Sequence, residues 1–306
     1  MKQQAAFYWL IPMIALLAAI IASVGLFSYS GDGSFLFTTI HGNIVEMYGQ
    51  GIYRHDSTFV AALFRGTDAI TLFVSIPLLL ISYWFYRRGS MKGNIFMTGM
   101  LTYFLYISIT YTFSAVFNSL FLLYVALFSL SLFATMIALT TFDMHWLASK
   151  VNSGMPHRGM AIFMMTAGLG TLMLWLSELI GPLMTGQAPA NLGPYTTMFT
   201  HGFDSAVITP ATVITGIYLL RRKPLGYLLV APLLILCTLI GVVVISQTIS
   251  HASVGIVFPI SVYIGMVGSW VVMGAFAVGL TISFFRNLSI NILSSQETTH
   301  KAGAIS

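Results

Sequence analysis

Residues 225–248 read LGYLLVAPLLILCTLIGVVVISQT, one proline after Arg221, Arg222 and Lys223. Nothing in the stretch is charged. As a helix it is about 36 Å long, more than the roughly 30 Å of a bilayer's hydrocarbon layer. An apolar run of this length, bounded by three bases, reads as a helix that crosses a membrane and stops at the headgroups.

The same reading yields seven further apolar runs, at approximately 7–28, 60–86, 94–115, 119–142, 159–181, 201–220 and 257–285. Of the 306 residues 57% are hydrophobic and 7% charged, and the mean hydropathy is +0.89. A soluble domain carries about 25% charged residues to wet its surface, so a soluble globular fold and a disordered chain are both excluded. The sequence predicts an all-α integral membrane protein, a bundle of eight transmembrane helices in a single domain over 1–286. Its one cysteine, Cys237, falls mid-span, reads as a small apolar filler and excludes an internal disulfide.

Charge distribution sets the expected orientation. With the N-terminus cytoplasmic, the inner segments hold Lys2, Arg87, Arg88, Lys92, Lys150, Arg158, Arg221, Arg222, Lys223, Arg286 and Lys301, leaving only Arg54 and Arg65 outside. Basic residues are retained on the cytoplasmic side, so both termini are expected inside, in the cell (inner) membrane. The net charge of +5 is thereby topological and implies no nucleic-acid partner. Tyr8, Trp9, Tyr83, Trp84 and Tyr86 fall at the same boundary, where amphipathic rings settle. The first run exceeds the 7–15 residues of a signal-peptide core and reads as a retained anchor.

Two outer segments exceed a short loop. Residues 29–58, with glycines at 31, 33, 42, 49 and 51, read as a compact outer cap, either a small hairpin or an interfacial helix. Residues 182–200, with Pro182, Pro189 and Pro194, read as irregular. The inner loop 143–158 is polar, and 287–306 reads as a flexible cytoplasmic tail. A weak repeat relates Arg65-Gly66-Thr67-Asp68, at the start of the second span, to His201-Gly202-Phe203-Asp204 in the sixth. Each is followed by a proline, Pro77 or Pro210, and by an arginine pair. This pattern suggests parallel halves, 1–142 and 159–286, as in transporters with a site between repeats.

The acids show the opposite bias. Asp32, Glu46, Asp56, Asp68, Glu178 and Asp204 lie at or near the outer side, with His41, His55, His201 and His251. Ionisable groups at the hydrocarbon edge are functional candidates by default. Arg65 and Asp68, at i and i+3, are expected to form an ion pair that either closes the helix entrance or holds an anionic substrate. A structural pair tolerates joint replacement by apolar residues. Asp204 reads as a helix cap or, with His201, as part of a proton relay. The weak metal candidates are His201, Asp204, His41 and His55, with Glu178 and His251 as further donors. No metal is predicted, because no recognised ligand spacing is present.

Thr102, Tyr106, Thr110 and Ser114 recur at i+4 in the third span, with Tyr103 and Tyr111 alongside. They form a stripe that reads either as helix packing or as a solute groove, faced by Tyr124, Ser131 and Thr135 on the fourth span. In the eighth span Gly265, Gly268, Ser269, Gly274 and Gly279 read as a close-packing face. No P-loop, dinucleotide fingerprint or nucleophile elbow occurs, and no lysine lies deep in a span. The favoured function is permease-like. A small solute or ion binds near the outer face through Arg65, Asp68, Glu178, His201 and Asp204 and moves along Thr102, Tyr106 and Thr110, with no cofactor. The alternatives are a membrane enzyme acting on a lipid or isoprenoid at the outer leaflet, and an accessory subunit without a site.

Overall fold

The computed structural model describes residues 2–289, with side chains from Ala5 onward. Among them, eight helices are long and apolar enough to cross a membrane. These are α1 (Ala5–Phe27), α2 (Thr58–Arg87), α3 (Met91–Ser114), α4 (Phe121–Thr140), α5 (His157–Thr185), α6 (Phe199–Leu220), α7 (Pro224–Ser253) and α8 (Ile260–Arg286). The fold is the expected all-α, multi-span bundle. The two faces are called here the basic face, which carries the arginine pairs, and the cap face.

The bundle is built around α3 and α7, the two most deeply buried helices. They touch where Gly99 meets Ile235, and a methyl group at Gly99 would lie 2.9 Å from Ile235 Cβ. Gly66 brings α2 onto α7 in the same way, with a Cβ there only 2.5 Å from Gln247 Cα. Small residues matter here because lipid is as apolar as leucine, so helices associate by close approach rather than by exclusion from water. The glycine face expected on α8 reduces to one residue. Gly274 meets Gly241 of α7, while Gly265 and Gly279 face open space. Most of α8 is turned outward, away from the bundle.

Two helices share a deviation. In α2 a π-helical turn spans Thr71–Ser75, and in α6 another spans Asp204–Ile208. Each ends two residues before a proline, Pro77 or Pro210. A helical proline has no N–H for the carbonyl four residues back and its ring collides with it, so the preceding turn widens. Those carbonyls, of Phe73 and Ala206, lie within the wide turns. Measured from its proline, Asp68 stands 9 residues back and Asp204 stands 6. The two carboxylates thus differ by about one turn, roughly 4.5 Å, in this register. A third π turn, Tyr263–Val267 in α8, has no proline after it.

The cap is a hairpin rather than an interfacial helix. Strands β1 (Phe35–Thr38) and β2 (Ile44–Met47) pair antiparallel, Phe35 opposite Met47 and Thr38 opposite Ile44. On the basic face a short helix, Met144–Ser149, is capped by Asp143, which accepts the N–H groups of His145 and Trp146. Much of the expected tail lies outside the described residues. Its first residues are anchored, since Asn152 N–H donates to the Asn287 carbonyl (2.9 Å) and Ser289 N–H to that of Lys150 (2.9 Å). Rings and cations meet on this face as the aromatic belt requires. Arg87 sits 4.9 Å from the Tyr8 ring centroid and Arg88 3.6 Å from that of Trp84.

Candidate functional site: two buried carboxylates

The expected acid belt resolves into two separate clusters, one on each side of α3. Around Asp204, helices α5 and α6 run antiparallel and each offers two residues three apart, Trp175 and Glu178 against His201 and Asp204. Such residues occupy neighbouring turns of one face, so the four side chains pair off in two layers. In the upper layer His201 Nε2 lies 3.0 Å from Glu178 Oε2, and the Asn191 amide donates to that oxygen (3.3 Å). One turn deeper, the Trp175 indole N–H donates to Asp204 Oδ2 (3.1 Å) and the Tyr106 hydroxyl to Oδ1 (3.2 Å). The Trp175 and His201 rings, 4.0 Å apart, join the layers. Burial is graded along this line, with side-chain exposure of 28% for Glu178 and 12% for His201, and Asp204 only 3% exposed.

Asp204 borders a cavity of about 30 Å³, lined also by Tyr106, Thr171, Thr212, Cys237 and Trp270. One water needs roughly 10–15 Å³ of such space, so the cavity has room for about two or three waters or a cation with part of its hydration. Beneath it Thr209, Thr212 and Thr215 are buried at successive turns of α6. Thr209 donates to the Gly168 carbonyl of α5 (3.1 Å), and Thr215 to the Ala211 carbonyl of its own helix.

The second cluster is sealed. Asp68 is fully buried and accepts from the Tyr53 hydroxyl (2.8 Å, Oδ2) and the Tyr111 hydroxyl (2.6 Å, Oδ1). Gly25 of α1 abuts the carboxylate, and any side chain there would overlap it. The rings of Tyr53, Phe64, Tyr111 and Tyr124 stack in a column beside it, with centroids 5.2–5.5 Å apart.

The expected Arg65–Asp68 ion pair does not form. Arg65 turns towards α1, where its guanidinium donates to the Gly25 carbonyl (3.1 Å) and the Tyr29 hydroxyl (3.3 Å). Two neutral hydroxyls satisfy the buried carboxylate without the desolvation cost of a second buried charge.

The stripe on α3 also divides. Thr102 and Thr110 donate to carbonyls of their own helix, those of Thr98 and Tyr106, and reach neither cluster. Tyr106 serves Asp204, while Tyr111 serves Asp68 and Tyr103 meets Thr71 (3.3 Å). The metal candidates are dispersed. His41 is exposed in the hairpin turn, His55 accepts from the Arg54 side chain (3.1 Å), and His251 binds the Phe59 carbonyl (3.1 Å). Among the described residues no three His, Cys, Asp or Glu side chains converge.

Above both clusters, Asp56 fastens the cap. Only 1% exposed, it accepts at Oδ1 from Val116 N–H, after α3, and from the Tyr195 hydroxyl in the 182–200 loop, both at 3.0 Å. Its Oδ2 is buried without a partner. Burial pushes the carboxyl up to about 7 against the pull of these two donors, and burial also raises Tyr195.

Tyr53, Trp175 and Tyr195 are thus the residues that sequence reasoning passed over, and Asp56 was grouped with the outer acids without its role in the cap. Trp175 had a readable signal, three residues before Glu178, whereas Tyr53 and Tyr195 come to their partners from loops. No protein-family model, curated protein or solved structure matches the chain.

Proposed function

We propose that this multi-span membrane protein is a permease-like carrier of a proton or small monovalent cation, with Asp204 as the central ligand. One observation carries the reading. The buried Asp204 carboxylate faces a cavity of a few waters and lies one turn below the partly exposed His201–Glu178 pair, with Trp175 packed between them. The cavity volume narrows the class of solute, since an organic molecule does not fit without separation of helices. The buried threonines of α6 support continuation towards the basic face, and the π turns beside Pro77 and Pro210 are natural hinges. The two π-bulged helices, and the central places of α3 and α7, support a relation between the halves by a twofold axis along the membrane normal.

In proteoliposomes, an imposed proton, sodium or potassium gradient is expected to collapse faster with the wild-type protein than in empty vesicles. Asp204→Asn should slow this by about a hundredfold, the loss of a positioned proton-transfer group. Wild-type vesicles as tight as empty ones to all three cations, or an unaffected Asp204→Asn variant, defeat the proposal.

The reading places the basic face in the cytoplasm. In a Cys237→Ala background, cysteines from Lys92→Cys, Lys150→Cys and Lys223→Cys should resist impermeant thiol reagents in intact cells. Those from Asn43→Cys and Ala190→Cys should react. The reverse pattern at 150 and 190 inverts the orientation.

A further inference from the structure

Arg65 is not absorbed by either cluster. We propose that it binds the phosphodiester of a phospholipid in the leaflet on the cap side, with an anionic lipid preferred. Arg65 and Arg87 are 22 residues apart on one helix, about 33 Å. With Arg87 among the ring-stacked bases of the basic face, that separation slightly exceeds the hydrocarbon thickness and puts Arg65 at the opposite headgroup level. Among the described residues no carboxylate lies within 4.0 Å of it, the nearest in sequence, Asp68, being occupied by Tyr53 and Tyr111. A guanidinium has five N–H groups in a fork that suits phosphate. Two are spent on Gly25 and Tyr29, and three remain on this half-buried side chain.

The surroundings fit a lipid rather than a soluble anion. The guanidinium is held by rings, 5.3 Å from the Tyr29 centroid and 5.9 Å from that of Tyr48. Two turns below Arg65 on its own helix, Phe73 is 65% exposed in an apolar stretch. An acyl chain packed against Phe73 carries its phosphate towards the height of Arg65.

The test uses the full-length protein, delipidated in detergent. Wild type should bind phosphatidylglycerol in native mass spectrometry and gain thermal stability from it, more than from phosphatidylcholine. Inorganic phosphate and glycerol phosphate should do neither. Arg65→Gln should lose about tenfold or more in apparent affinity, as a charge-assisted contact implies. Arg54→Gln, at the other base of the cap face, should bind like wild type. Should Arg65→Gln not purify, Arg65→Lys carries the test, because it keeps the charge and loses the fork, and its affinity should fall between. Wild-type affinity in Arg65→Gln or, where that is lost, in Arg65→Lys overturns the site. Equal protection by inorganic phosphate overturns the lipid assignment in favour of a soluble anion.

Discussion

Asp68→Leu is expected to lower the melting temperature of the detergent-solubilised protein steeply, whereas Asp68→Asn leaves it close to wild type. The leucine leaves the Tyr53 and Tyr111 hydroxyls, each 1% exposed, with no acceptor for bonds now made at 2.8 and 2.6 Å. Each orphaned buried donor costs about 1–3 kcal/mol, so together roughly 2–6 kcal/mol is lost. Asparagine keeps one acceptor oxygen, and its amide can donate to the other hydroxyl, which rotates to accept. Removing the donors as well, in Tyr53→Phe with Tyr111→Phe and Asp68→Leu, should recover most of the loss. The ion-pair reading makes a different forecast, that Arg65→Met combined with Asp68→Leu is neutral. The observed geometry makes that double variant no better than Asp68→Leu alone. A near-wild-type melt for the Arg65/Asp68 double variant would restore the ion pair, and a triple variant no better than the single would dismiss the orphaned hydroxyls as the cause.

The second large effect is on pH. With its carboxyl held near 7 against an ordinary 3.8, native Asp56 binds a proton that the unfolded chain has already released. Between these values the native state carries more protons, so stability falls as pH rises. The contribution of this group is greatest below about pH 4, declines from pH 4 to 7 and is flat above, a span of about 4 kcal/mol. The mechanism is local: an ionised Asp56 is charged and buried, with one oxygen unpartnered, where the cap, Val116 and Tyr195 meet. Asp56→Asn keeps the acceptor for both donors and removes the charge. It should therefore flatten the dependence of melting temperature on pH between 4 and 7 and melt above wild type at pH 8. Parallel curves for the two proteins across that range would dismiss Asp56 as the titrating group.

How much of the site was legible follows from the range of each interaction. Glu178, His201 and Asp204 could be grouped from sequence because helical periodicity and membrane depth are local properties, and two antiparallel helices bring equal depths together. Tyr106 was flagged by its i+4 stripe, but the same stripe overreached to Thr102 and Thr110. Spacing assigns a residue to a helix face without revealing whether its hydroxyl is already bonded to the carbonyl four residues back. Arg65 and Asp68 failed as a pair for a related reason. Their separation permits contact, but the choice was made by Tyr53 from the cap and Tyr111 from α3, 15 and 43 residues from Asp68.

By itself, the sequence determined that this protein crosses a membrane, how often, and which loops share a face. Those features follow from one-dimensional quantities, namely runs of apolar residues matched to the bilayer and the alternation of basic segments between them. Only the tertiary structure decided that α3 and α7 form the centre, that the acids divide into an open and a sealed cluster, and that a hairpin is fastened by Asp56. These depend on which helix faces meet. In lipid that choice is made by close approach at residues such as Gly66, Gly99 and Gly274, and by a few long-range hydrogen bonds. The hydrophobic pattern is nearly uniform around most of the spans and carries little trace of either.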